Sequence, residues 1–246
     1  MRSKAEIALW TYLVPMASAR PLRIVFLVLM IFLGFVALAV VLKSVSKDLG
    51  DVFLRTLRDG SIMPGVPLLA ILLSEMPIRD GIRQQTLLYP LLGPVPRRVT
   101  AVVRTAATAV LLAVGVTFVV VLIQVLRGES LGSLGGDLLG VWLGSAAYIA
   151  LFGVIHVIVR RGLIAGLVFF SMDFALSYVP FSLRNFSPCY HVRVLTDQLV
   201  EMDLPIPIAA PPSSLLASVV ILAVIAVVLS GVGGFLFSRK NLGELC

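Results

Sequence analysis

Leu215-Leu-Ala-Ser-Val-Val-Ile-Leu-Ala-Val-Ile-Ala-Val-Val-Leu-Ser-Gly-Val-Gly-Gly-Phe-Leu-Phe237 runs without a single charged residue. A helix needs about 20 mostly apolar residues to cross the hydrocarbon layer of a bilayer. This run meets that length and has no polar face to turn toward water. Stretches 22–42, 105–126, 138–159 and 162–179 read the same way. A sixth stretch, 61–76, is shorter and holds Pro64, Gly65 and Pro67. It either starts further upstream or begins as a broken helix, since membrane helices accept Pro where neighbours satisfy the freed carbonyls. The expected fold class is an all-α integral membrane protein of six transmembrane helices, a single transmembrane domain over residues 1–246.

Composition points the same way. Of 246 residues, 59% are hydrophobic and 13% charged, about half the charge a soluble domain carries. The net charge of +7 is a matter of where the bases sit. With both termini on one side, that side holds Arg2, Lys4, Arg20, Arg23, Arg79, Arg83, Arg97, Arg98, Arg104, Arg160, Arg161, Arg239 and Lys240, thirteen of the 20 basic residues. Lys and Arg concentrate in cytoplasmic loops, so both termini are expected in the cytoplasm and no nucleic-acid partner is needed to explain the charge. A signal peptide cut at Ala37-Leu38-Ala39 is disfavoured, because the apolar run continues through Val40, Val41 and Leu42. Cys189 and Cys246 fall on opposite sides and cannot pair within one chain. Cys189 with His191 gives two ligands, a poor metal site.

Three connecting regions have character of their own. Residues 1–20 place Ile7, Trp10, Leu13 and Val14 near one helical face, as in a helix lying in the cytoplasmic interface. The outer segment 181–214 is too short for a separate domain and reads as a re-entrant loop. The cytoplasmic segment 77–104 sets Thr86, Leu87, Leu88, Leu91 and Leu92 beside Arg79, Asp80 and Arg83, with Pro90, Pro94 and Pro96 limiting helix length. Exposed apolar clusters of this kind mark a contact surface, against a soluble partner or against the membrane.

Within the spans the telling residue is Asp173, because an ionised carboxylate at membrane depth costs about 2.5 kcal/mol or more unless compensated. Tyr148 lies at a matching depth of the preceding span, so a Tyr148–Asp173 hydrogen bond is the first candidate. The pair either lines a substrate path or locks two helices together. His156, beside Arg160 and Arg161, reads as a packing residue.

The 77–104 segment resembles that of the type 2 ABC transporter permeases, the membrane subunits of bacterial ATP-driven exporters. Arg79, Asp80 and Arg83 stand at its charged start, and Gln85-Thr86-Leu87 where the family has Gly-Thr-Leu. Pro94-Val95-Pro96-Arg97-Arg98 corresponds to Pro-Val-Ser-Arg-Arg, and Arg104 to a Lys entering the third span. Phe186-Ser187-Pro188 resembles a recurrent Leu-Ser-Pro before the sixth span. The resemblance implies a half-transporter in the bacterial inner membrane. It would pair with a second permease subunit, identical or homologous, and rest on two copies of a cytoplasmic ATPase. ATP and Mg would belong to that partner, for this chain has no GxxxxGK[ST] and no cofactor or catalytic residue is expected on it. Arg79, Asp80, Arg83, Thr86, Leu87, Leu88, Leu91, Arg97 and Arg98 are then the ATPase-coupling residues, and Asp173 with Tyr148 the candidate pathway. The expected cargo is hydrophobic or amphipathic and moves outward. The alternatives are an ATP-independent ion-coupled carrier using Asp173, or a non-transporting scaffold of the same layout. An intramembrane protease would need paired catalytic groups at depth, and Asp173 has no second acid there.

Overall fold

The computed structural model describes residues 20–75, 96–128, 134–159, 161–178, 182–197 and 213–239. Every element among them is helical: α1 (Arg20–Val45), α2 (Lys47–Gly60), a wide π-helical turn (Ser61–Gly65), α3 (Val66–Glu75), α4 (Arg97–Arg127), α5 (Leu134–Ile158), α6 (Gly162–Leu176), a 3-10 turn (Ser182–Phe186), α7 (Pro188–Leu195) and α8 (Leu215–Arg239). Five helical stretches are long and apolar enough to cross a membrane, and α6 is a shorter apolar helix. The chain is therefore a multi-pass helical membrane protein.

Two spans differ from their sequence outlines. The second is not confined to 61–76: it runs without a break from Lys47 to Glu75. Its N-terminal part, α2, is charged and amphipathic, so a search for apolar runs passes over it. Pro64 sits inside the Ser61–Gly65 turn. Proline has no N–H to give and its ring crowds the carbonyl one turn back, and a π turn absorbs that misfit without ending the helix. The fifth apolar stretch, expected over 162–179, ends as a helix at Leu176 after 15 residues. At 1.5 Å per residue that is about 22 Å, short of a ~30 Å hydrocarbon layer.

The central helix is α5, which packs against α3, α4, α6, α7 and α8. Of its most apolar stretch 56% is buried within the chain, against 11% for α1 and for α8. Glycines at every fourth position explain how α7 lies so close to it. A methyl group on Gly136 would overlap the Leu195 carbonyl oxygen, on Gly140 it would come within 2.7 Å of Thr196 Cγ2, and on Gly144 within 3.0 Å of Val192 Cγ2. Small residues serve this purpose in membranes, where close backbone approach replaces the hydrophobic drive.

A second, smaller core of Val36, Ala39, Leu54, Val119 and Ile123 joins α1, α2 and α4. Polar contacts close it. Lys43 Nζ donates to the Leu126 carbonyl at 2.9 Å and pairs with Asp51 at 2.8 Å. Arg58 on α2 reaches Asp137 in the first turn of α5 through two bonds, Nε to Oδ2 at 2.7 Å and Nη2 to Oδ1 at 2.6 Å. Asp137 is 1% exposed, so its charge depends on that fork. Removing one partner of such a buried pair costs about 3–5 kcal/mol, whereas removing both costs far less. Arg58→Ala is therefore expected to lower the melting temperature of the detergent-solubilised protein sharply, and Arg58→Ala/Asp137→Ala to recover much of the loss. Equal melting temperatures for single and double variants would show that the pair carries no such coupling.

Candidate functional site

Asp173 occupies the last turn of α6, where the chain leaves the helix and reverses toward α7. Its carboxylate accepts from Tyr148 Oη at 2.5 Å, from Ser187 Oγ at 2.6 Å and from the Cys189 N–H at 3.3 Å. The Tyr148–Asp173 bond expected from their matching depth is thus present. Ser187 also caps α7, where its Oγ accepts from the Tyr190 N–H at 3.2 Å and Pro188 takes the first helical position. Ser before Pro is a strong helix-start signal, and here it aims the amide end of α7 at an anion, the favourable sense for the helix dipole. Tyr148 is fixed in turn by stacking on Phe152, with centroids 5.7 Å apart and planes 12° from parallel.

The elbow is tied to α8 by His191. Its Nε2 lies 2.8 Å from the Asn185 carbonyl, which can only accept, so Nε2 carries the proton and Nδ1 accepts from Ser218 Oγ at 3.1 Å. Burial holds this imidazole below its ordinary pKa of 6.5. Burial also pushes the Cys189 thiol up to about 11, with the Asp173 charge adding to the effect. Cys189 is a protonated, free thiol, and it is the backbone N–H of this residue that engages Asp173. No group of three or more metal-ligating side chains occurs among the described residues.

At the opposite end of the helices, Arg97 and Arg98 begin α4 and both are exposed. The Arg98 guanidinium lies 5.6 Å from the Phe235 ring centroid, and Arg239 covers the same ring at 4.4 Å. His156 packs against Gly162 at the turn into α6, with Nδ1 at 2.7 Å from the Phe152 carbonyl and 3.3 Å from Ser74 Oγ. Arg79, Asp80, Arg83, Thr86, Leu87, Leu88 and Leu91 lie outside the described residues, as do the 1–19 part of the interfacial helix and Cys246. The structure thus brings Asp173 and Tyr148 together, and sets Arg97 and Arg98 at the other end of the helices. Sequence reading missed Ser187 as the third partner of Asp173, although Ser187-Pro188 carried the signal.

No protein-family model, curated protein or solved structure matches this chain.

Three donors converging on one carboxylate make Asp173 a lock between α5, α6 and α7. Asp173→Ala would strand Tyr148 Oη and the Cys189 N–H, at about 1–3 kcal/mol for each buried group left without a partner, and would leave Ser187 Oγ only the residue-173 backbone carbonyl, 3.1 Å away, to donate to. The expected result is loss of folded, monodisperse protein in detergent, with Asp173→Asn intermediate because it keeps one carbonyl acceptor. A melting temperature unchanged by Asp173→Ala would mean that the network does not hold the elbow.

The His191 shift has a sign that can be checked. A folded-state pKa below the unfolded value means that the neutral ring stabilises the fold. That contribution is complete above about pH 6.5 and declines as pH falls toward the lower folded-state value. Melting temperature should therefore drop below about pH 6.5, and His191→Gln should flatten that part of the profile.

Proposed function

We propose that this chain is the membrane-spanning permease subunit of an ABC exporter, seated in a bacterial cytoplasmic membrane with both termini inside. The observation that carries the reading is the 77–98 segment between the second and third apolar helices. It has a charged start, a cluster of leucines and three spaced prolines, and ends in Arg97-Arg98 on the first turn of α4. A passive connector has no need of a leucine cluster. The order of the other parts supports the same reading: a short fifth apolar helix, an outer elbow opening on Ser187-Pro188, and a long last helix.

In this reading two permease subunits pair, and each meets one copy of a cytoplasmic ATPase that binds ATP and Mg. Closure of the ATPase pair pushes on 77–98, and that thrust passes along α4 and the end of α3 to tilt the spans and alternate access. Arg79, Arg83, Arg97 and Arg98 would face the ATPase, with Leu87, Leu88 and Leu91 seated in its surface. The cargo would be hydrophobic or amphipathic. The saturated carboxylate of Asp173 speaks against the ion-coupled carrier, since its oxygens are already engaged by Tyr148, Ser187 and the Cys189 amide.

Affinity purification of the tagged protein in mild detergent tests the proposal. A stoichiometric soluble ATPase is expected to accompany it, and to be lost from the Leu87→Asp/Leu88→Asp/Leu91→Asp variant while the permease stays folded. An intact preparation without any ATPase would sink the assignment.

A further inference from the structure

Two arginines, the partly buried Arg58 on α2 and the buried Arg193 on α7, are treated differently by this fold. Arg58 is matched by the bidentate carboxylate of Asp137. Arg193, on α7, is 5% exposed and has no carboxylate in any ion pair among the described residues. Its guanidinium carbon lies 3.6 Å from the centroid of Tyr178 and 5.3 Å from that of Phe174. Its Nε is buried without a hydrogen-bond acceptor. The obvious counter-ion on the same elbow, Asp173, is taken by Tyr148, Ser187 and the Cys189 amide.

Aromatic faces attract a cation, but they are poor acceptors for the five N–H donors of a guanidinium. Arginine cannot relieve the misfit by losing its proton. A buried charge of this kind is tolerated when something pairs with it. The planar fork is suited to an oxyanion that takes two donors at once, phosphate above all. The setting indicates where such a group comes from. Next to the elbow, the 3-10 turn exposes Leu183 and Phe186, the latter 80% exposed, which are side chains for lipid rather than water.

We propose that Arg193, steadied on Tyr178 and Phe174, is the anion-binding residue of an outer-face site for a phosphate group, carried on a lipid headgroup or free in solution. Tyr178 and Phe174 act as positioning residues that hold the guanidinium plane. The site does not depend on the exporter reading, and binding can be measured with no ATPase present.

The test is a titration of the purified full-length protein in non-ionic detergent with dioleoyl phosphatidylglycerol or with inorganic phosphate, read by native mass spectrometry. One saturable phosphatidylglycerol per chain is expected. Arg193→Gln should weaken it at least tenfold, or about 1.4 kcal/mol, and Arg193→Lys should fall between because it keeps the charge and loses the fork. Arg184→Gln, which removes a cation from the Tyr190 ring, should leave it unchanged. Inorganic phosphate binding as tightly as the lipid would name the free anion as the ligand, and lipid binding alone would name the headgroup. Absence of saturable binding of either probe to the wild-type protein would overturn the proposal, and so would equal binding by wild type and Arg193→Gln. Should Arg193→Gln fail to fold, the wild-type titration and Arg193→Lys decide the matter.

Discussion

An anionic oxygen far from water must be surrounded by donors, and Asp173 imposes that requirement on three helices at once. Tyr148 brings the donor from α5, and the Cys189 amide brings one from the start of α7. Ser187 completes the set from the turn between. To meet those terms α6 has to stop early, the chain has to reverse, and α7 has to point its amide end back at α6. The Gly136, Gly140 and Gly144 row then lets α7 lie against α5, and His191 fastens the other side of the elbow to α8. A charge in the fifth apolar stretch thus ties together the elbow between α6 and α7 and the face of α5 that it meets.

Charge also organises a second part of the bundle. At 31 residues, α4 is about 46 Å long, well beyond the hydrocarbon thickness. Its C-terminal end is held by neighbours: Lys43 on the last-turn carbonyl of Leu126, and the small core of Val36, Leu54 and Ile123. The carbonyls at a helix end are unsatisfied and carry partial negative charge, so a lysine there serves both hydrogen bonding and electrostatics. Asp51 holds that same lysine from α2. The α1–α2 hairpin and α4 are therefore tied together by one side chain.

The apolar helices were legible in the sequence because lipid leaves so little choice of residue. The Tyr148–Asp173 bond was legible for a related reason: in a membrane, position along a helix is a measure of depth, and two polar residues at one depth are drawn together. What stayed hidden depended on rotation about helix axes. Arg58 and Asp137 are 79 positions apart and on different helices, and nothing in their spacing says that they face each other. The α2 helix escaped notice because Lys47, Asp48, Asp51, Arg55, Arg58 and Asp59 make it look like a loop. Arg193 could be counted among the bases, but its want of a counter-ion among the described residues appears only when its neighbours are known.

The π-helical turn at Ser61–Gly65 has a further meaning. Compared with an unbroken α-helix it holds one surplus residue, equivalent to about 100° of rotation. The N-terminal and C-terminal halves of the span are therefore set at different azimuths. The C-terminal half turns Val66, Ala70 and Leu73 into the main core, while the N-terminal half brings Leu54 to the small core and Arg58 to Asp137. One helix can thus serve two cores whose directions do not coincide, and the single extra residue around Pro64 is what reconciles them.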